Sequence, residues 1–276
     1  MLGVGVLPKT YAGQGDHSGH STYHAFLLKF QKRLSHGLTL QTSYVFSKIL
    51  TDADTAWGEG YAADQFNRRL EKSIGQFDVT HDFKFAAVYD LPFGKGQQYL
   101  THGPAAWVLG NWRISSINLY ASGTPVAIST SYSLPVYASG AGGRVAPYVT
   151  SYTGWQPSYS GGFDPGKNNF FVPYGTGPLP TQGLTTAYNS IGNDTRYNPK
   201  LRLFPNLNEN MSLTRSFPIR EKMHLEFRAE AFNVFNRVRF GTGSTQLQSS
   251  QFGVLVGSGS QINTPRNLQL ALKLYF

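Results

Sequence analysis

His224, Glu226, Arg228 and Glu230 stand at alternate positions, the spacing at which side chains share one face of a β-strand. General acid–base chemistry would need one of them to sit beside a nucleophile or water, with a third group fixing its orientation. Alternating opposite charges on one face describe something else, a polar ladder that neutralises itself. If the chain's last residue, Phe276, lies opposite Met223, then Lys273 comes opposite Glu226 and extends that ladder across strands. Asp16, His17, His20 and His24 invite a metal reading, but the stretch is glycine-rich, His24 opens a strand pattern, and no second cluster completes a coordination shell. Ser47 and His81 are the pair a surface hydrolase would require, yet no motif surrounds either one. Gly94-Lys95-Gly96 lacks the residues of a phosphate cradle. Trp57, Tyr61, Trp155, Tyr159, Phe170, Phe171 and Tyr174 could stack on a solute, or pack among themselves or at a membrane interface. No catalytic residue, metal site or cofactor is therefore expected, and the chain is not expected to be an enzyme.

The elements that carry these residues are best seen at the end of the chain. Counting back by twos from Phe276 gives Leu274, Leu272, Leu270 and Leu268, with Tyr275, Lys273, Ala271, Gln269 and Asn267 between them. Such an aliphatic row ending in a terminal aromatic suits a strand with one face against lipid and the other against a lumen. Composition agrees. Aromatic residues make up 14% of 276, there are 30 Gly and no Cys, so strands are favoured and disulfides and thiolate metal sites are excluded. Mean hydropathy is −0.28 and no run approaches the length of a membrane helix, which leaves open a barrel, whose alternation hides its hydrophobicity. The net charge of +9 is scattered singly, without the basic run or stripe of a nucleic-acid surface. Residues 1–8 are apolar but lack the basic start of an export signal.

Seven segments alternate: 23–34, 38–48, 79–93, 112–129 (broken near Gly123 and Pro125), 206–217, 222–236 and the terminal strand. Phe26, Leu28 and Phe30 oppose Ala25, Lys29, Gln31 and Arg33; Phe83, Phe85, Ala87 and Tyr89 oppose Asp82, Lys84, Ala86 and Asp90; Met223, Leu225, Phe227, Ala229 and Ala231 oppose the charged ladder. Between the segments, connections run short (35–37), long (49–78), medium (94–111), very long (130–205), short (218–221) and long (237–265). With Phe276 at the periplasmic end, short turns fall inside and long loops outside, as in outer-membrane barrels. An eleven-residue strand tilted by ~40° rises roughly 27 Å, close to the apolar band of such barrels. The expected fold is all-β: an antiparallel transmembrane barrel wall with long external loops, 1–22 being a loop remnant and 23–276 strands and loops. Seven strands do not close a bacterial barrel, and bare edges in hydrocarbon are costly, so the wall is expected to be the C-terminal segment of a larger one.

In sequence order the chain carries Arg33-Leu34-Ser35-His36-Gly37-Leu38, Ser43-Tyr44-Val45-Phe46-Ser47-Lys48, His81-Asp82-Phe83 leading to Leu91-Pro92-Phe93-Gly94, Gly110-Asn111-Trp112, Ser122-Gly123-Thr124-Pro125, Phe227 through Asn236 with its Phe-Asn-x-Phe-Asn ending, and Pro265-Arg266-Asn267-Leu268-Gln269 to Phe276. Together these passages resemble the C-terminal barrel wall of TonB-dependent receptors, the Oar-like group in particular. That resemblance implies a barrel of roughly 22 strands around an N-terminal plug, energised through a TonB box by the inner-membrane TonB complex and located in the outer membrane. It also implies that Phe276 with Leu274, Leu272, Leu270 and Leu268 is the signal read by the barrel-assembly machinery. Plug and TonB box are absent from these residues. The other reading open at this point is a membrane anchor presenting its loops for adhesion or binding, or a non-transporting relic. Nucleic acid is not an expected partner; outer-membrane lipid is.

Overall fold

Two residues, His36 and Gly37, reverse the chain between strands β1 (Ser21–Ser35) and β2 (Leu38–Thr51). Both have positive φ, 53° and 74°, the pairing that matches a two-residue hairpin turn to the twist of its strands. The site tolerates nothing larger than glycine at position 37, where a Cβ would lie 2.7 Å from the Asp90 carbonyl oxygen. That tight turn is the unit from which the wall is built.

The computed structural model describes residues 19–53, 68–130, 148–149, 162–171, 184–185, 193–220, 223–247, 249–255 and 261–276. After β2 come β3 (Ser73–Ile74), β4 (His81–Asp90), helix α1 (Gly103–Leu109), β5 (Trp112–Ala121), β6 (Pro125–Val126), β7 (Tyr148–Val149), β8 (Leu184–Thr185), β9 (Asn198–Arg202), β10 (Asn206–Arg220), β11 (Met223–Phe232) and β12 (Asn267–Tyr275). The main sheet runs β1-β2-β4-β5-β10-β11-β12, with β3 paired to the end of β2. Every pairing in it is antiparallel. Each wall strand neighbours the next wall strand in sequence, the up-and-down order of a barrel wall. Among the described residues the sheet is open, with β1 and β12 as its two edges.

The seven expected segments are the seven wall strands, with shifted ends. The fifth extends to Arg220 through Pro218, so the turn after it is shorter than 218–221. The sixth stops at Phe232 because Asn233 and Asn236 take positive φ, 51° and 53°, which asparagine tolerates better than most residues. Two connections are corrected. The 94–111 segment holds α1, and the 130–205 segment holds β9, which pairs with β6. Sequence alternation misses both because one is a single short helix and the other five residues long.

Where the core sits is the most informative packing fact. Among the described residues, the buried apolar cluster is Val126, Ile128, Phe170, Phe171, Leu201, Leu247, Phe252 and Leu255, with Phe163, Leu203, Phe204 and Phe240 against it. None of these belongs to a wall strand. The cluster lies in the long connections, at the end of the wall opposite the short turns. Polar ties bind the same end: Arg202 Nη2 donates to Asp78 Oδ2 at 2.8 Å, and Arg196 donates to the carbonyls of Thr51 and Asp52. The loops thus pack on one another while the wall's own apolar rows do not.

Candidate functional site: the two faces of the wall

In an antiparallel pair, residues directly opposite each other share a face. Following the register across the sheet divides the wall strands into two surfaces. One row reads Leu272, Phe227, Arg215 and Trp112; the next reads Leu270, Ala229, Leu213, Ile114, Tyr89 and Leu38. The row beyond reads Leu268, Ala231, Met211, Ser116, Ala87 and Leu40. This face is apolar over most of its height and open. Leu268, Leu270, Leu272 and Leu274 are all exposed, Leu270 at 72%, and Phe276 is 95% exposed. A contiguous exposed patch of this kind is foreign to a soluble monomer and natural against lipid.

Aromatic rings gather at both ends of the same face. Tyr44, Phe46, His81, Phe83 and Tyr120 lie near the long loops, with Tyr44 Oη hydrogen-bonded to His81 Nδ1 at 2.8 Å and Phe46 tilted on His81 at 5.3 Å between centroids. Tyr89, Trp112 and Phe217 lie near the short turns, and Trp112 meets Phe227 edge-on at 6.1 Å. Two aromatic girdles around an aliphatic band are the outer signature of a transmembrane β-barrel.

The other face is mostly polar, although Val88 and Ile117 are exposed on it. Glu226 stands opposite Lys273 in the β11–β12 register, the pairing expected from the spacing. Arg228 reaches Glu226 at 3.2 Å and Glu230 at 3.6 Å along its own strand. The row continues from Arg228 through Thr214 to Arg113, whose Nε donates to Asp90 Oδ1 at 2.6 Å. Lys84 and Asp82 pair at 2.7 Å on the same face. His224 stacks on Tyr275 at 4.5 Å, 10° from parallel. Each ion pair is partly exposed and so contributes roughly 0.2–1 kcal/mol. Their effect is to make a charged surface nearly self-compensating.

The remaining expected site residues separate. Ser47 and His81 are on opposite faces, because the residue across from His81 is Phe46; Ser47 Oγ instead donates to the Val79 carbonyl at 3.0 Å. Asp16 and His17 lie outside the described residues. His20 donates its backbone N–H to Asp52 at 2.6 Å, and His24 pairs in register with Lys48. Trp57, Tyr61, Trp155, Tyr159 and Tyr174 also lie outside the described residues. Phe170 and Phe171 are corrected from candidate solute contacts to core: Phe171 is 1% exposed and stacks on Phe252 at 5.3 Å, and Phe170 packs on Phe171 and Phe204.

Sequence reasoning missed three polar residues on the apolar face: Asn118, Glu209 and Arg215, all buried. Glu209 is 0% exposed and accepts Arg237 Nε on both carboxylate oxygens, at 2.8 and 3.0 Å. Arg215 donates to the Trp107 and Val108 carbonyls at the end of α1. The available signal was a polar or charged residue at an apolar position of an otherwise regular alternation. The motifs quoted from the sequence also find their reason here. Asn233 Nδ2 donates to the Arg237 and Thr264 carbonyls, its Oδ1 accepts the Arg237 N–H, and Asn236 Oδ1 accepts the Arg266 N–H at 2.9 Å. The Phe-Asn-x-Phe-Asn stretch thereby fastens the start of β12.

A one-sided apolar antiparallel wall, girdled by aromatics and backed by a charged polar face, defines a transmembrane β-barrel of the outer membrane. The chain matches the outer membrane beta barrel domain family over residues 10–269, and it belongs to that family. No curated protein matches it significantly.

Proposed function

We propose that the chain is the C-terminal wall of a TonB-dependent receptor of the Oar-like group, contributing to energised uptake of a scarce solute. The observation that carries this reading is the polar face on a sheet with two unpaired edges. A charged, self-compensating surface in the membrane calls for a wide interior that is hydrated or filled by protein. Unpaired backbone at β1 and β12 calls for further wall strands to close around it. A large barrel with a plug meets both needs, and the ordered family motifs point the same way. In this reading His224, Glu226, Arg228, Glu230 and Lys273 line the lumen beside the plug. Phe276, Leu274, Leu272, Leu270 and Leu268 present the signal that the barrel-assembly machinery reads, and no catalytic step is assigned. The partners are outer-membrane lipid, the receptor's own plug and the TonB complex.

The packed loop core favours a second reading, an outer-membrane anchor whose loops form a binding surface. One experiment separates the two. Cells lacking this gene and cells lacking TonB are compared for uptake of radiolabelled iron–siderophore, cobalamin and oligosaccharide. A shared defect for one solute supports transport. A defect in attachment with every uptake intact in the strain lacking this gene refutes transport and leaves the anchor.

A further inference from the structure

Helix α1 has the sequence Gly-Pro-Ala-Ala-Trp-Val-Leu, without a single charge, and none of its residues is buried. Trp107 is 72% exposed, and Val108 and Leu109 are exposed as well. The helix is nevertheless held in a defined place. Its end carbonyls, which a helix leaves unsatisfied, are taken by the wall. Arg215 donates to the Trp107 and Val108 oxygens, and Trp112 Nε1 donates to the Val108 oxygen at 3.0 Å. The Arg215 guanidinium also lies over the rings of Trp112 and Phe217, at 5.4 and 4.4 Å. Behind the helix, Gly94 and Gly110 meet back to back; a Cβ on Gly110 would lie 2.6 Å from the Gly94 Cα. Asn111 N–H donates to the Phe93 carbonyl at 2.8 Å and closes the base.

Which side of the wall this is follows from register. Arg215 and Trp112 are opposite each other, in one row with Phe227 and Leu272. The helix is therefore tied to the apolar face, at the end of the short turns. We infer that α1 is an interfacial anchor whose Trp107, Val108 and Leu109 enter the periplasmic leaflet of the outer membrane. The lipid belt already established for this face reaches the helix along the row Leu272, Phe227, Arg215 and Trp112, in which the one charge, Arg215, is buried and tied to the helix carbonyls. Lipid accounts for a charge-free exposed helix with a tryptophan at the headgroup level. The anchor would fix the height of the wall in the bilayer. This rests on membership of the outer-membrane barrel family and not on transport.

The chain has no cysteine, so single-cysteine labelling is clean. Nitroxide is attached in separate full-chain variants at Trp107→Cys, Leu109→Cys, Leu270→Cys and Lys95→Cys. The intact barrel protein carrying the label is reconstituted in phosphatidylethanolamine–phosphatidylglycerol vesicles, and collision with oxygen is compared with collision with a water-soluble nickel chelate. Oxygen should dominate at 107 and 109, as at 270, and the nickel chelate at 95, in the exposed turn before the helix. Labels at 107 and 109 that behave like 95, beside a lipid-exposed 270, overturn the anchor alone. A water-exposed label at 270 overturns the membrane placement of the whole face and the anchor with it.

Discussion

Adjacent residues of β12 should respond very differently to one substitution. β12 spans Asn267–Tyr275, so its centre is Ala271 and Leu270 is one residue away. At ~3.3 Å per residue and a tilt of ~40°, Leu270 lies about 2.5 Å from mid-height, well inside a band whose half-height is ~12 Å. Arginine there costs about 2–4 kcal/mol, or roughly 30-fold to nearly a thousandfold in the folding equilibrium. Leu274 is three residues from the centre, about 7.5 Å, and Leu274→Arg should cost less, since the long side chain can reach the interface. Gln269 is on the polar face opposite Glu230. Gln269→Arg adds an opposite charge to that pair and should change stability by less than about 0.5 kcal/mol. The assay is the folded, heat-modifiable band on gels after equilibration of the protein with phospholipid vesicles across a guanidinium series. The midpoint should fall most for Leu270→Arg, less for Leu274→Arg, and hardly at all for Gln269→Arg. Equal shifts for Leu270→Arg and Gln269→Arg would refute the assignment of the apolar face to lipid.

Three further outcomes are expected. Deleting Phe276 from the intact barrel protein should slow assembly into the outer membrane several-fold, followed by pulse-chase of the heat-modifiable form; unchanged kinetics would remove its proposed role as a signal. Arg237→Met leaves the buried Glu209 carboxylate without its two charge-assisted bonds and should destabilise by about 2–3 kcal/mol, below a fully buried pair because Arg237 is partly in solvent. Adding Glu209→Gln should recover part of that loss, and a double variant no better than the single would count against the pair. In an external loop, the Gly166 N–H and then Lys167 hold the Asp164 carboxyl below its ordinary range. A lowered folded-state value means that the stabilisation is complete above the ordinary carboxylate range and is lost as pH falls through the lowered value. The protection factor of the Gly166 amide, which donates to the Asp164 carboxylate, should therefore fall only on acidification once the acid slowing of intrinsic exchange is divided out, and Asp164→Asn should abolish that dependence.

The motifs read from the sequence turn out to be fastenings more than chemistry. Leu91-Pro92-Phe93-Gly94 and Gly110-Asn111-Trp112 close on each other at the base of α1, and the Phe-Asn-x-Phe-Asn stretch ties β11 to the entry of β12. Ser122-Gly123-Thr124-Pro125 meets β9, where the Gly123 carbonyl accepts Arg202. Their recurrence in order along the chain was visible; what each one holds was not. The Glu226–Lys273 pairing was legible because a period-two pattern and one anchor residue fix a register.

Strand positions, the two faces and the alternation of short and long connections are properties of neighbouring residues, so the amino-acid order alone determined them. A strand's faces follow from its pleat, whatever it later pairs with. Only tertiary structure decided the fate of charges at apolar positions and of aromatics in the loops. Arg215 finds its carbonyls 108 residues back, at Trp107, and Arg196 reaches Thr51 across 145 residues. Phe170 and Phe171 left the set of possible solute contacts because distant segments fold over them. Such contacts depend on how whole elements are placed in space, and no local period encodes that placement.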